Sequence, residues 1–291
     1  MNEFYIQKFI MQRKSYLAPD SIRYYIENLT RFEKWLSISK LNILELTSDN
    51  LRQYIIYLGL TGIKNVSIHT YYRAVKIFYS WLYQEGYIEI DITIHIKLPK
   101  DDSEIVIPLT KSEVVIIDDY IINSELALRN YCIFHLFLDC GLRRQEVINL
   151  TSDCIRKNTL TIKNSKNNKS RIVLLPDFLR FSINNYLGKR TGIVFLDRYD
   201  ENPITLNSIK KLFANIKNLS GMERVHSRLL RHTFATSYLY YGGNMEMLRL
   251  LMGHSSYIIL QNYVHLAAQE ELIESGLYEL DDIFFKNRRK K

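Results

Sequence analysis

Leu230-Arg231-His232-Thr233-Phe234-Ala235-Thr236 sets a permanently charged guanidinium inside an otherwise apolar helical run. A solvent-facing arginine is a poor account of Arg231, because Leu230, Phe234 and Ala235 around it belong in a core. Two patterns flank this stretch. Upstream, Gly141-Leu142-Arg143-Arg144-Gln145-Glu146 follows an apolar run and opens a helix after a turn. Downstream, Leu251-Met252-Gly253-His254 precedes Tyr263, nine residues beyond the histidine.

Outward from these patterns the chain falls into parts. Residues 1–98 read as helices. Ala18-Pro19-Asp20-Ser21 is a start signal, and behind it Ile22, Tyr25, Ile26, Leu29, Phe32 and Leu36 recur at helical steps. Thr47-Ser48-Asp49 caps a segment carrying Leu51, Tyr54, Ile55 and Leu58; Ser67 opens another with Tyr71, Val75, Phe78 and Leu82 on one face. Between Pro99 and Pro108 the sequence is polar and aperiodic, which predicts a linker over 99–109. A second domain is predicted over 110–268. Thr110-Lys111-Ser112-Glu113 has the form of a capping box, and Ala127–Leu138 reads as a buried helix. Thr159–Ile162 and Arg171–Leu175 are β-type runs around a polar tip, a hairpin. Helical segments follow from Ser182, Leu206, Arg228, Met245 and Tyr257. The fold class expected is mostly α with a small β-sheet (α+β).

A length of 291 residues suits two domains at about 150 residues each. With 47% hydrophobic and 24% charged residues, disorder throughout is excluded. The most apolar stretch, Tyr131–Leu142, is interrupted by Asp139 and falls short of the roughly 20 residues a span needs, so no membrane association is expected. The first residues lack a cationic segment followed by an apolar one, so no signal peptide is expected. Cys132, Cys140 and Cys154 include no C-x-x-C pair and read as small core residues in a reducing cytoplasm. No carboxylate or His/Cys cluster has ligand spacing, so neither metal nor other cofactor is expected.

The formal charge of +8 favours a polyanionic partner, nucleic acid before membrane. Its distribution is one-sided. Arg156, Lys157, Lys163, Lys166, Lys169, Arg171, Arg180, Lys189 and Arg190 are opposed over that span only by Asp177. The 21 tyrosines, in a chain also rich in Ile, Asn and Lys, reflect composition rather than base stacking.

The motifs around Arg143, Arg231, Gly253 and Tyr263 resemble the box I and box II signatures of the tyrosine recombinase (phage integrase) family. The layout does too: a helical core-binding (SAM-like) domain, a linker, then a catalytic domain. The resemblance implies cleavage and rejoining of DNA through a 3′-phosphotyrosine, without metal or ATP. Arg143 and Arg231 match the family's phosphate-clamping arginines, and a bidentate guanidinium is the side chain suited to that task. Arg144 competes with Arg143, but the family residue follows Gly-Leu directly. Arg143 also sits at a helix N-terminus, which favours an anion. Glu146, one turn on, can orient Arg143. Tyr263 matches the nucleophile, with Tyr257 as runner-up. Lys166 matches the hairpin lysine that protonates the leaving 5′-oxygen, with Lys163 and Lys169 as alternatives. His254 matches a phosphate-bonding position.

One position departs from the pattern. The family usually has His three residues before its second arginine, and this chain has Arg228 there, with His226 nearest. Arg228 shares a helix face with Arg231 and cannot accept a proton. The phenol's proton is thus left without an obvious acceptor, and His232 reads as structural. Lys163, Lys169, Arg171 and Arg144 are expected to contact DNA. Residues 269–291 carry an apolar stripe (Ile273, Leu277, Leu280, Phe284) and a basic tail, and the resemblance implies docking into a neighbouring protomer.

A site-specific recombinase working as a homotetramer on two double-stranded DNA sites in the cytoplasm, associated with the nucleoid, is the leading expectation. Little sequence precedes the first helix, which suggests a simple resolver of multimers or transposon cointegrates. A compact integrase of a mobile element, a non-catalytic DNA-binding regulator and a type IB topoisomerase are the alternatives.

Overall fold

The computed structural model describes residues 2–100, 106–163, 170–197, 202–253, 257, 260, 263 and 264. The chain divides into two compact units, Met1–Ile105 and Val106–Lys291. The division falls inside the stretch expected as linker, whose ends belong to the units they adjoin. In the first unit His69 Nε2 donates to the Pro99 carbonyl at 2.7 Å. In the second, the buried Leu109 donates its N–H to Thr233 Oγ1 at 2.9 Å.

The first unit contains α1 (Asn2–Lys14), α2 (Pro19–Ser39), α3 (Ser48–Leu60) and α4 (Asn65–Gln84). Pro19 starts α2, with its fixed φ suited to the first turn; Ala18 occupies the cap position and gives no side-chain bond. The stripe read on α2 is buried except at Ile26, which lies about 80° from the stripe's centre at 100° per residue. Thr47 and Asn50 cap α3 reciprocally. The core is aromatic: Phe9 meets Phe78 edge-on at 5.3 Å, and Phe32 meets Tyr54 at 4.9 Å. No helix among the described residues is long and apolar enough to cross a membrane.

The second unit contains α5 (Lys111–Ile122), α6 (Ala127–Leu138), α7 (Arg144–Ile148), a 3₁₀ turn (Ser152–Cys154), β1 (Thr159–Ile162), β2 (Arg171–Leu174), α8 (Asp177–Leu187), α9 (Leu206–Ser220), α10 (Ser227–Tyr240) and α11 (Met245–Met252). The Thr110–Glu113 capping box opens α5 as expected. β1 and β2 are antiparallel, with Thr159 opposite Leu174 and Ile162 opposite Arg171. α8 begins five residues before the expected Ser182, because Pro176 pre-sets the backbone ahead of Asp177. α6 is the buried centre and packs against α5, α8 and α10. A smaller core joins Phe234 and Tyr238 of α10 to Leu248, Leu251 and Met252 of α11, with Leu260 and Tyr263. All three cysteines are buried thiols; burial pushes Cys132 up to about 12.

Candidate active site

α10 runs unbroken, so Arg228 and Arg231 stand one turn apart on a regular helix. His226 lies just outside it as the N-cap, its Nδ1 accepting the Leu229 N–H at 3.0 Å. Arg231 is only 9% exposed. Its Nη1 donates to the Gly141 carbonyl and its Nη2 to the Met252 carbonyl, the latter at 2.6 Å. Burial, and next the neighbouring Arg143, push this guanidinium down to about 9, so it stays charged near neutrality.

The Gly141 carbonyl reaches Arg231 because residue 141 has no side chain. Its φ is +60°, and a Cβ there would stand 2.5 Å from Phe234 Cδ1. Two residues on, Arg143 is extended and precedes α7. Its N–H donates to Glu146 Oε2 at 2.7 Å, its Nη1 to Glu146 Oε1 at 3.0 Å, and its Nη2 to the Gly253 carbonyl at 2.9 Å. The amide expected to favour an anion is thus already taken by Glu146. The Arg143 side chain is 39% exposed, so part of its guanidinium faces solvent. Arg144 is exposed and lines a separate shallow hollow with Lys210, Lys217 and His226.

Arg171, expected on the DNA-facing surface, is turned inward, and its side chain is 10% exposed. Its Nη1 and Nη2 grip the two Glu146 oxygens at 2.6 and 2.7 Å, and its Nε donates to the Leu251 carbonyl at 2.7 Å. Strand parity carried the signal. Arg171 alternates with exposed Ile172 and shares its face with buried Val173. Burial alone would raise the Glu146 carboxyl, but the hydrogen bonds and charge of Arg171, then those of Arg143, hold it at about 2.

Three consecutive carbonyls at the end of α11 therefore serve three arginines: Leu251 holds Arg171, Met252 holds Arg231, and Gly253 holds Arg143. A helix C-terminus leaves its last carbonyls unpaired and partly negative, so it collects cations. The left-handed Gly253 (φ +61°) ends the helix there. The result is a cationic cluster with one internal anion, Glu146, suited to binding a phosphate.

Tyr263 is buried in the small core, its ring 5.1 Å from that of His232. Burial raises its phenol, while the charges of Arg231 and Arg228 pull it down. Arg228 is exposed, and its Nε donates to His232 Nε2 at 3.3 Å. Tyr257 is also exposed, with its hydroxyl bonded to Glu246. Tyr263 is thus the tyrosine that feels Arg231 and Arg228, whereas Tyr257 lies under Arg249 at 5.5 Å. The contact of His232 with Tyr263 was not legible in the sequence, because the intervening turns decide it.

Lys163 is exposed and pairs with Asp153 at 2.9 Å. Lys166, Lys169, His254 and the segment 269–291 lie outside the described residues. Other members of the basic run are also partly engaged: Arg180 pairs with Asp177 at 3.1 Å, and Arg190 lies over the Tyr186 ring at 5.0 Å.

The fold and this arginine cluster define a tyrosine-recombinase architecture. Residues 99–270 match the phage integrase family and residues 5–86 match the phage integrase N-terminal SAM-like domain. The chain belongs to the phage integrase family. It is similar to tyrosine recombinase XerD of Rickettsia prowazekii (strain Madrid E), with 26% identity over 273 residues covering 86% of this chain and 88% of that protein. Tyrosine recombinase XerC of Staphylococcus haemolyticus (strain JCSC1435) is 24% identical, covering 87% and 88%. Among solved structures, Tn1549 transposon integrase in complex with transposon right end DNA has a TM-score of 0.77 at 16% identity, covering 89% of this chain and 93% of that one. XerH recombinase bound to palindromic difH substrate has 0.74 at 19%, covering 96% and 84%.

Proposed function

We propose that this tyrosine recombinase cuts and rejoins double-stranded DNA at a specific site, with Tyr263 as nucleophile. The observation that carries the reading is the gathering of Arg143 and Arg231 on the end of α11, with the charge of Arg231 acting on the buried Tyr263 phenol. Tyr263 Oη gives up its proton to water and attacks the scissile phosphorus, forming the O–P bond of a 3′-phosphotyrosine as the bond to the 5′-oxygen breaks. Arg143 and Arg231 take up charge developing on the non-bridging oxygens, with Arg228 as a third cation. Lys166 protonates the leaving 5′-oxygen, and His254 bonds a phosphate oxygen. Attack by a 5′-hydroxyl reverses the step, so the bond energy is kept and no ATP is consumed.

The role we propose is resolution of DNA multimers or transposon cointegrates in the cytoplasm by a homotetramer on two sites. The XerC and XerD names of relatives matched over most of their length support it. Integration of a mobile element is the second reading, favoured by the likeness to the Tn1549 integrase. The test uses duplexes recovered by the protein from a randomised pool and nicked near the cleavage point. A denaturant-resistant protein–DNA adduct is expected. Its absence with every recovered duplex would overturn the reading. Strand exchange between two such sites separates a recombinase from a topoisomerase, which relaxes supercoils but leaves the partners unexchanged.

A further inference from the structure

We propose that Arg171 is a positioning residue for strand cleavage, acting through Glu146 to keep Arg143 available to the phosphate. The inference rests on the recombinase reading above.

Glu146 is shared between two arginines. Oε1 receives Arg171 Nη1 at 2.6 Å and Arg143 Nη1 at 3.0 Å. Oε2 receives Arg171 Nη2 and the Arg143 backbone N–H, both at 2.7 Å. The bidentate grip of Arg171 is the tighter of the two side-chain contacts, and both partners are about nine-tenths buried. Without Arg171, the Arg143 guanidinium would be the one cation on a desolvated carboxylate. It would be drawn into a private ion pair, because an unpaired buried charge is costly. With Arg171 in place the carboxylate is already neutralised. Arg143 is then oriented by Glu146 without giving it all its charge.

Arg171 also joins three elements. It opens β2, directly after the segment that carries Lys166. It holds α7 through Glu146 and the end of α11 through the Leu251 carbonyl. Gly253 makes room for it: a Cβ there would stand 3.1 Å from Arg171 Cδ. A direct DNA contact is a poor account of this residue. Each of its three guanidinium nitrogens donates inside the protein and the side chain is only 10% exposed, so swinging out to a phosphate on the surface would cost it the grip on Glu146.

The test compares wild type with Arg171→Gln, Arg171→Lys, Glu146→Gln and the double Arg171→Gln/Glu146→Gln. The probes are an intact duplex carrying the selected site, for Kd, and its nicked form, for the single-turnover cleavage rate at saturating protein. Arg171→Gln should slow saturated cleavage by about 10–100-fold while Kd moves by less than about threefold. The double variant should be no slower than Glu146→Gln alone, because the two residues act as one unit. Arg171→Lys keeps a cation but not the fork, so it should recover part of the rate. It is also the variant that decides the matter if Arg171→Gln melts below the assay temperature. Weaker binding with an unchanged saturated rate would overturn the inference, as would losses that multiply in the double variant. A purely structural role would lower the melting temperature and the reactive fraction, leaving the rate constant of the reactive fraction intact; that result also overturns it. No adduct from wild type would remove the recombinase reading and this inference together. An adduct from wild type with an unaltered rate in Arg171→Gln removes the inference alone.

Discussion

The imidazole of His232 lies against the phenol ring of Tyr263, centroids 5.1 Å apart and planes inclined by 54°. His232 Nε2 accepts from Arg228, so Nδ1 carries the ring proton. Burial, and then the charge of Arg228, push this histidine down to about 4, so the ring beside the phenol is neutral at physiological pH. The charge that offsets the buried phenolate comes from Arg231 and Arg228. Tyr263→Phe keeps the ring and its packing and removes only the hydroxyl. It should bind the selected duplex as wild type does and form no covalent adduct on the nicked form. Tyr257→Phe should still form it. An adduct persisting in Tyr263→Phe would move the nucleophile elsewhere.

Arg228 and His226 divide two tasks between neighbouring positions. Arg228→Ala should slow cleavage on the order of 10²-fold, as for one lost transition-state donor. Arg228→Lys should recover part of that loss, and Arg228→His should be tolerated because it restores the usual family residue. His226→Ala removes the cap on Leu229, so it should lower stability by about 1 kcal/mol and leave the cleavage rate near normal. Thermal melting and single-turnover cleavage across the four variants check this. A dead His226→Ala beside a near-normal Arg228→Ala would reverse the assignment.

Much of this was legible along the chain, where local chemistry decides. The cap at Thr47, the capping box at Thr110, the hairpin strands and the apolar helical run around Arg231 follow from short-range rules. α1 was missed. It lacks a cap signal, and its exposed Phe4 and Met11 blur the stripe made by Ile6, Phe9 and Ile10. At the site, Arg143, Arg231 and Glu146 were singled out by resemblance to the family's motifs, and the Arg143–Glu146 contact follows from their spacing of one turn. The inward turn of Arg171 was not, because it depends on α11 arriving from 80 residues away in sequence. Charge counting along a run cannot tell a cation facing solvent from one holding a buried carboxylate.

Gly141 ties the two arginine motifs together, and its replacement should be costly for two reasons. Alanine at φ +60° carries a strain of about 1–2 kcal/mol. Its Cβ would also drive into the Phe234 ring, displacing the carbonyl that receives Arg231. Gly221 gives the comparison, since it is also left-handed (φ +70°) but a Cβ there would meet nothing within 4 Å. Gly141→Ala should therefore lower the melting temperature clearly more than Gly221→Ala, and only Gly141→Ala should also slow saturated cleavage. Equal losses in the two variants would mean that the Phe234 contact gives way freely.

His135 makes the stability of the second unit depend on pH. It is buried on α6, with Nδ1 donating to Asp139 at 2.6 Å and Nε2 to Asp118 of α5 at 3.1 Å. The rings of Tyr131, Phe134 and Phe178 enclose it. Burial alone would lower its pKa, but the two aspartates override this and raise it to about 9. The unfolded value is about 6.5, so the folded state binds the proton more tightly. The stabilisation is fully present below about pH 6.5 and disappears as the pH rises through 9, an effect on the order of 3 kcal/mol. The melting temperature of this unit should thus fall by roughly 5–10 °C between pH 6.5 and 9.5. His135→Gln should start lower, because two carboxylates lose their cation, and its melting should be much flatter over the same range. A wild-type melting temperature that is level across this window would show that His135 folds as the neutral ring.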